Sequence, residues 1–342
     1  MTSALADYTT LGVGGFARRL VVAEDEQLLV ATVMDCDQRG EPVLIMGGGS
    51  NVVIADSGFD GTAVLIRTRG INIEADSIGG AWVTSAAGEP WDDFVGHAVA
   101  SQWSGVEALS GIPGCVGATP IQNVGAYGQQ VGDVIARVRA WDRVDRVQRT
   151  LAAAECAFGY RTSAFREDLS RFLILDVTMQ LSLSSTSTPI TYADVLRELG
   201  IDAGSRRPLT EVRQAVLAVR RTKGMVLDPN DPDTRSTGSF FTNPILTDEQ
   251  AAQLLPADAP RYPAGSGQVK TSAAWLIERA GFARGYGNEL AAISSKHTLA
   301  LTNRGNATAD DVLALAREIR GGVQNLFGIT IDPEPILVNC EL

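Results

Sequence analysis

The residues with the clearest potential for chemistry lie in a glycine-rich stretch in the middle of the chain, residues 111–128. It contains five glycines and two prolines, and Thr119, Gln122, Asn123 and Tyr127 add hydrogen-bonding side chains. Closely spaced glycines can turn successive N–H groups inward and form an anion-binding concavity. The stretch is uncharged and partly apolar, so it suggests a wall for a bulky cofactor that carries phosphates. A buried crossover between strands is the alternative.

A second glycine-rich turn, residues 47–51, follows the compact apolar run Pro42–Met46 and precedes the apolar run Val52–Ala55. A strand that leads into a glycine-rich turn is typical of phosphate binding. The spacing fits neither the dinucleotide fingerprint nor the Walker pattern, because strand follows strand with no helix between. Two such loops favour an anionic ligand more than either loop alone.

Cations that could meet this ligand occur at two places. Arg161 follows an aromatic residue and a glycine in Phe158–Ser163, where its planar fork could bind an anion. A surface salt bridge is the alternative. The amphipathic pattern Leu209–Lys223 carries four further cations, Arg213, Arg220, Arg221 and Lys223. They suit a diphosphate, or they simply complement the dipole at the end of a helix.

Composition excludes several classes of function. The 342 residues are 45% apolar and 20% charged, with 40 acidic and 29 basic side chains and a net charge of −11. There is no basic block, so we expect no nucleic-acid partner. The four cysteines are not spaced like metal ligands or redox pairs. Because the chain has only two histidines, a histidine-rich metal site is excluded. No signal peptide or membrane-spanning run is apparent, so we expect a cytoplasmic protein with no membrane partner.

Hydrophobic patterns predict a mixed succession of strands and helices. Strands are predicted at Leu20–Ala23, Pro42–Met46, Val52–Ala55, Thr62–Arg67, Ile71–Ala75, Ala81–Ala86, Val134–Asp142, Phe172–Leu183, Leu299–Thr302 and Ile329–Val338. Helices are predicted at Asp25–Gln38, Trp91–Ser101, Leu209–Lys223, Thr247–Leu255, Ser272–Ala280 and Thr308–Phe327. The last strand needs a partner sheet, for which the N-terminal strands are candidates. His97 lies in a predicted helix and is expected to be structural.

One serine and one glutamate have unusual neighbours in the sequence. The loop Gly224–Gly238 leads to Ser239, and two phenylalanines follow, which suggests that the backbone turns inward there. Glu334 lies between Pro333 and Pro335, which keeps that segment out of the centre of a sheet.

Seven motifs occur in one order: residues 8–15, 47–52, 112–128, 158–163, 238–244, 275–278 and 333–334. In this order they resemble the MurB family of UDP-N-acetylenolpyruvoylglucosamine reductases over nearly the whole chain. The resemblance implies an α+β fold, with a two-lobed FAD-binding domain of the p-cresol methylhydroxylase/vanillyl-alcohol oxidase type and a C-terminal α+β substrate-binding domain. The implied bounds are 1–66 with 328–342 for the first FAD lobe, 67–207 for the second and 208–327 for the substrate domain.

The resemblance also implies a reaction. NADPH passes a hydride to non-covalent FAD, which passes it to the enolpyruvyl group of UDP-N-acetylglucosamine enolpyruvate. The product, UDP-N-acetylmuramate, is a precursor of peptidoglycan. Arg161 matches the family's catalytic arginine and would hold the carboxylate, Glu334 would stabilise the enol as a neutral acid, and Ser239 would donate the proton. Lys223 or Lys270 could stabilise the serine alkoxide.

Further residues match the family by position. The implied FAD contacts are Gly47, Gly48, Gly49, Ser50, Asn51, Val52, Ile112, Ala118, Thr119, Ile121 and Gly125. The implied substrate contacts are Tyr127, Tyr192, Lys223, Asn243, Lys270, Glu278 and His297. Three features depart from the family: a longer Met225–Thr237 segment, Thr242 where a lysine is common, and Ile336 where an arginine can lie.

Two other functions remain open at this stage. Another FAD-linked oxidoreductase on the same scaffold, such as an alcohol oxidase, often tethers its flavin through a histidine, but His97 and His297 lie outside both glycine loops. A non-catalytic sugar-nucleotide binder could retain the fold. The joint presence of Arg161, Ser239 and Glu334 argues against the binder. We expect a monomer whose partners are a nucleotide sugar and NADPH.

Overall fold

The computed structural model describes residues 4–76 and 79–342. Its strands are β1 (Ala17–Ala23), β2 (Val43–Met46), β3 (Val52–Ile54), β4 (Phe59–Ile66), β5 (Ile71–Asp76), β6 (Gly80–Ala86), β7 (Trp103–Ser104), β8 (Gly125–Ala126), β9 (Gln129–Gln130), β10 (Ile135–Asp142), β11 (Val147–Ala152), β12 (Phe172–Leu183), β13 (Ile245–Thr247), β14 (Tyr262–Pro263), β15 (Gln268–Lys270), β16 (Ala291–Ile293), β17 (Leu301–Asn303) and β18 (Ile336–Val338). Its α-helices are α1 (Glu26–Arg39), α2 (Trp91–Ala100), α3 (Ala164–Glu167), α4 (Ala193–Leu199), α5 (Leu209–Thr222), α6 (Asp248–Leu254), α7 (Ala273–Arg279) and α8 (Ala309–Phe327).

The first lobe is built on parallel strands. Strands β1, β4 and β2 form one sheet, and β3 pairs with β18 in a second, parallel pair. The C-terminal strand therefore returns to the N-terminal strands, as predicted. Helix α1 covers the sheet and begins at Asp25, whose side chain accepts a hydrogen bond from Leu28 N at 2.7 Å.

The predicted strand Ile329–Val338 is wrong in length, because only Ile336–Val338 is a strand. Pro333 and Pro335 cannot donate to a ladder. Glu334 N donates instead to Phe240 O at 2.8 Å, which draws the segment before β18 towards the third part of the chain.

The second lobe is an antiparallel sheet in the order β11-β10-β12-β6-β5, with β7 beside β12. Helix α2 packs on it, and the shared core includes Trp91, Phe94, Val138 and Met179. Edge strand β11 was not predicted, because all of its side chains except Leu151 are exposed and no alternating apolar pattern marks it.

The third part of the chain holds the small sheets β13-β15-β14 and β16-β17 and the helices α6 to α8. Helix α8 starts in a capping box formed by Thr308 and Asp311. Phe240 and Phe241 are buried in this core. Helices α4 and α5 pack together through Val195 and Val216, across the boundary predicted at residue 208.

Within residues 4–76 and 79–342, no helix combines the length and the apolar character needed to cross a membrane. All four cysteines are free thiols. His97 lies on α2, where its ring meets Trp103 edge-on at 5.5 Å, consistent with a structural role.

Candidate active site

A cavity of about 430 Å³ lies where the three parts of the chain meet. It brings together almost all of the predicted site residues. Those that line it are Gly47, Gly48, Gly49, Ser50, Asn51, Val52, Ile112, Ala118, Thr119, Ile121, Gly125, Tyr127, Arg161, Tyr192, Lys223, Ser239, Asn243, His297 and Glu334.

Lys270 and Glu278 do not line the cavity, contrary to the sequence prediction. Lys270 ends β15, and its Nζ lies 4.4 Å from the ring centroid of Tyr160. Glu278 lies on the exposed side of α7 and accepts a hydrogen bond from Thr298 Oγ1 at 2.5 Å. The pairing of β15 and the orientation of α7 hold both side chains outside the cavity wall.

The first glycine loop, residues 47–51, presents free amides to the cavity. A Cβ on Gly48 would lie 2.6 Å from Gly114 Cα, and one on Gly49, whose φ is +62°, would lie 1.9 Å from Tyr8 O. Across the described chain, the N–H groups of Gly49, Ser50 and Asn51 donate no hydrogen bond. Three successive free amides form the kind of concavity that binds an anion.

The second glycine loop uses its amides differently. Gly117 N donates to Ala87 O at 2.9 Å, and Thr119 N donates to Val116 O at 3.0 Å. A Cβ on Gly117 would lie 2.4 Å from Ala87 Cβ. These hydrogen bonds and close contacts make the loop a rigid wall, so its glycines serve packing more than anion binding.

Arg161 and Glu334 meet at one end of the cavity, which we call the carboxyl end. Arg161 has a φ of +56° and lies in a tight turn closed by the hydrogen bond from Gly159 N to Thr162 O at 3.0 Å. Its Nη2 donates to Gly125 O at 2.8 Å. Its Nε lies 3.0 Å from Glu334 Oε1, an ion-pair distance without a well-aligned hydrogen bond.

The Glu334 carboxyl is held in a buried setting. Burial raises its pKa, against the lowering effect of Arg161 and Arg166. Gln122 Nε2 lies 3.5 Å from its Oε1. The balance favours the neutral acid more than it would for a glutamate in water.

Ser239 faces the same cavity from the third part of the chain. The backbone after it turns inward, as predicted, because Phe240 N donates to Leu299 O at 2.7 Å and both phenylalanine rings are buried. Within the described residues the Ser239 hydroxyl makes no hydrogen bond, so it is free to serve a ligand.

Two tyrosines and a lysine form a second group in the cavity lining, which we call the tyrosine end. The rings of Tyr127 and Tyr192 meet edge-on with centroids 5.0 Å apart. Lys223 Nζ lies 5.8 Å from the first centroid and 6.0 Å from the second, and forms a 2.5 Å ion pair with Asp194. Burial raises the pKa of Tyr127.

His297 and Asn243 complete the tyrosine end. Burial, with the nearby charges of Lys223 and Arg220, lowers the pKa of His297 to about 4. His297 Nδ1 accepts a hydrogen bond from Leu299 N at 3.2 Å, which places the proton of the neutral ring on Nε2. Asn243 Oδ1 accepts from Ala273 N at 2.9 Å, which ties the side chain to the start of α7.

The cations of the Leu209–Lys223 segment have different surroundings: some form structural ion pairs, and others line the cavity. Arg213 makes a two-point ion pair with Asp92, with its Nη1 2.6 Å from Oδ1 and its Nη2 2.9 Å from Oδ2. Arg220 is buried, lines the cavity and donates to Met225 O at 2.7 Å. Arg213 therefore serves an ion pair with α2, which neither alternative predicted, while Arg220 and Lys223 line the cavity.

The longer Met225–Thr237 segment forms part of the cavity wall. Met225, Leu227 and Thr237 line the cavity. Asp233 anchors the segment by accepting from Ser295 Oγ at 2.5 Å and pairing with Arg304 at 2.9 Å. Sequence reasoning left this path open because the segment has no periodic apolar pattern.

Arg166 and Gln122 also line the cavity, although the sequence analysis assigned neither a site role. Arg166 supplies a cation beside Glu334 where Ile336 provides none. Its helix α3 is four residues long, too short for a helical pattern to reveal it. Thr242 hydrogen-bonds through its backbone N to Asp332 O at 3.0 Å.

Three buried polar atoms of the cavity lining lack a hydrogen-bond partner in the described chain: Arg161 Nε, Arg220 Nε and Thr237 Oγ1. Buried polar atoms in folded proteins are nearly always paired, so these atoms indicate a polar ligand. Together with the free amides of the first glycine loop and the apolar wall of Ile112, Ala118 and Ile121, they fit a phosphate-bearing cofactor such as FAD.

Comparison with known proteins identifies two matching family models. Residues 17–151 match the model of an FAD binding domain, and residues 229–338 match the C-terminal domain of UDP-N-acetylenolpyruvoylglucosamine reductase.

Relatives match along nearly the whole chain. A UDP-N-acetylenolpyruvoylglucosamine reductase from Cutibacterium acnes is 54% identical over 341 residues, which cover 99% of this chain and 90% of the relative. One from Thermobifida fusca is 52% identical over 347 residues, covering 99% and 97%. The crystal structure of the Thermus caldophilus enzyme is 24% identical, covers 99% of this chain and 98% of that one, and superposes with a TM-score of 0.65.

These matches confirm the predicted α+β fold with its FAD-binding and substrate-binding parts. They also confirm the predictions of an FAD-containing oxidoreductase that uses NADPH and acts in peptidoglycan synthesis. The chain belongs to the UDP-N-acetylenolpyruvoylglucosamine reductase family.

Proposed function

We propose that this chain reduces UDP-N-acetylglucosamine enolpyruvate to UDP-N-acetylmuramate in the cytoplasm, with NADPH as the source of hydride. The observation that carries this proposal is the carboxyl end of the cavity. There Arg161 meets a buried Glu334 at 3.0 Å, and Ser239 lines the same cavity with an unpaired hydroxyl.

Bound FAD would supply the hydride chemistry between NADPH and the enolpyruvyl double bond. The chain's own part is to bind and orient the cofactor. The amides of Gly49, Ser50 and Asn51 would hold its pyrophosphate, and Ile112, Ala118 and Ile121 would give an apolar wall. The remaining predicted FAD contacts line the same wall.

Hydride addition develops negative charge on the substrate carbon that bears the carboxylate, and the charge spreads into the carboxylate oxygens. A guanidinium binds a carboxylate through two parallel hydrogen bonds. Arg161 has its Nη2 on Gly125 O and its Nε near Glu334, so its position is fixed before substrate binds. Pre-positioned donors of this kind stabilise developing charge without reorganisation.

Glu334 supports the same charge as a neutral acid. Burial raises its pKa, which favours the protonated carboxyl, and a protonated carboxyl can donate a hydrogen bond to the enolate oxygen. An ionised carboxylate at this position would instead repel the developing charge.

Ser239 donates the proton to the carbon that bears the carboxylate, next to the carbon that received the hydride. A serine hydroxyl is a weak acid, so it can protonate only a strongly basic carbanion, and the alkoxide it leaves needs a nearby cation. Of the two lysines considered for that task, Lys223 lines the cavity and Lys270 does not.

The tyrosine end would bind the nucleotide sugar. Lys223 and Arg220 provide positive charge for the diphosphate, and the rings of Tyr127 and Tyr192 provide an apolar surface beside it. His297 offers Nε2–H as a neutral donor, and Asn243 offers its amide NH₂.

Steady-state turnover tests the proposal. Purified protein carrying FAD is mixed with NADPH and UDP-N-acetylglucosamine enolpyruvate, and the product is identified by mass. We expect one UDP-N-acetylmuramate for each NADPH oxidised. NADPH oxidation without that product, with oxygen as the acceptor, would contradict the proposal and favour an oxidase.

A further inference from the structure

Arg166 is a partly buried arginine of the cavity lining whose backbone is fixed to the second glycine loop. Ser163 Oγ accepts hydrogen bonds from Phe165 N at 3.2 Å and Arg166 N at 3.3 Å, and it donates to Ile121 O at 2.6 Å. The start of α3 is therefore tied to the residue that precedes Gln122 in the chain.

The guanidinium of Arg166 binds two neutral oxygens. Nη2 donates to the main-chain oxygen of Glu334 at 2.8 Å, and Nη1 donates to Gln122 Oε1 at 3.4 Å. In the described parts of the chain, no carboxylate forms an ion pair with Arg166. Because a guanidinium is a rigid planar fork, two such bonds fix Gln122 relative to the backbone of Glu334.

The amide of Gln122 is oriented by its oxygen. Gln122 Oε1 accepts from Arg166 and also from Asn51 Nδ2, at 2.5 Å. A flipped amide would turn its NH₂ group towards these two donors. Gln122 Nε2 is therefore directed to the other side, where it lies 3.5 Å from Glu334 Oε1.

Glu334 is thus held at both its backbone and its carboxyl group. The main-chain oxygen accepts from Arg166 and from Asn51 Nδ2 at 3.3 Å, and the main-chain N donates to Phe240 O. The charged groups that face the carboxyl are Arg161 and Arg166. Arg166 and Asn51 each contact both the Glu334 main-chain oxygen and Gln122, and Arg166 is the charged member of the two.

We propose that Arg166 is a positioning residue for the reaction: acting through Gln122 and the Glu334 backbone, it holds the Glu334 carboxyl against Arg161. The effect on the reaction rests on the proposed function. Arg166 does not need to touch the substrate, because its two hydrogen bonds act on Gln122 and on the backbone of Glu334.

The test compares Arg166→Met, Gln122→Met, the double variant and Arg166→Lys. Arg279→Met is the matched control, since Arg279 and its partner Asp258 are more than half exposed. FAD content and the two half-reactions are measured separately. We expect unchanged FAD content, flavin reduction by NADPH within about twofold of wild type, and substrate-dependent flavin reoxidation slowed about 10- to 100-fold in the methionine variants.

Two details distinguish positioning from general stabilisation. If Arg166 acts through Gln122, the double variant should be about as slow as the slower single variant, because residues in one network do not act additively. Arg166→Lys should recover only part of the rate, since a lysine cannot bridge both oxygens in one plane.

A second readout does not depend on turnover. The protonation of Glu334 in the FAD-loaded protein is followed by infrared difference spectroscopy against Glu334→Gln. The positive charge of Arg166 lowers the pKa of Glu334. Removing that charge should move the titration midpoint to higher pH in Arg166→Met and leave it unchanged in Arg279→Met.

Four results would each overturn the proposal. Two are kinetic: rate losses that multiply in the double variant, and equal slowing of both half-reactions. The other two are loss of bound FAD and an infrared midpoint that does not move. If the wild-type flavin is not reoxidised by the enolpyruvyl substrate at all, the proposed function fails instead. The infrared midpoints still decide whether Arg166 positions Glu334 in that case.

Discussion

The pKa values of the titratable groups at the two ends of the cavity shift in opposite directions. At the carboxyl end burial raises the pKa of Glu334, which shifts this acid towards its protonated form. At the tyrosine end burial lowers the pKa of His297 to about 4, so a base loses its proton. Both groups are driven towards their neutral form by the same loss of hydration.

The two neutral groups differ in the hydrogen bonds and the charge that they present to a ligand. A neutral Glu334 is a hydrogen-bond donor beside Arg161, which suits charge that appears only during reaction. A neutral His297 removes a competing charge from the tyrosine end, where Lys223 and Arg220 supply the positive charge. One end is therefore suited to chemistry and the other to binding, and changes at the two ends should affect different kinetic constants.

The largest effect is expected for Ser239→Ala. Removing the proton donor should lower product formation about 1,000-fold, while flavin reduction by NADPH stays within about twofold of wild type. Stopped-flow absorbance of the flavin separates the two steps. Ser185→Ala, on an exposed loop, is the control. Equal turnover of Ser239→Ala and wild type would remove Ser239 from the mechanism.

A smaller effect is expected for Lys223→Met at the tyrosine end. Loss of one charged hydrogen bond to a diphosphate costs about 1.5 to 3 kcal/mol, so KM for the nucleotide sugar should rise about 10- to 100-fold. The change in kcat should be smaller. If kcat falls more than KM rises, Lys223 acts on the Ser239 alkoxide and the division between the two ends is wrong.

A third prediction concerns stability and pH. His297 has a pKa of about 4 in the folded protein and about 6.5 when unfolded, so the unfolded chain binds more protons between these values. The free energy of unfolding should therefore fall by up to about 3 kcal/mol as pH drops from 6.5 to 4. Denaturant titrations should show a shallower decline for His297→Gln. His97→Gln, at an exposed position of α2, is the control.

Much of the fold follows from sequence patterns. Helix α8 spans Ala309–Phe327 within the predicted Thr308–Phe327, because a capping box and a continuous apolar stripe mark it. Both glycine loops were found from composition. Elements without a pattern were missed: β11 is an exposed edge strand, and α3 is a single turn.

The sequence predicted part of the site, and the rest depends on contacts between distant parts of the chain. Ser239 and Glu334 stand in local settings that mark them, namely two buried phenylalanines and two flanking prolines. Arg166 reaches Glu334 only because distant parts of the chain fold together, and no local signal encodes that contact. The same reason explains why the sequence did not reveal that Lys270 and Glu278 lie outside the cavity. Their sequence positions match the family, but the orientation of β15 and α7 directs their side chains away from the cavity.

The most direct test of the account is an anaerobic flavin titration of the purified protein. We predict that NADPH bleaches the oxidised-flavin spectrum and that UDP-N-acetylglucosamine enolpyruvate then restores it, with UDP-N-acetylmuramate as the product. Bleaching that this substrate does not reverse would contradict the proposed reaction, even though the cofactor site would stand.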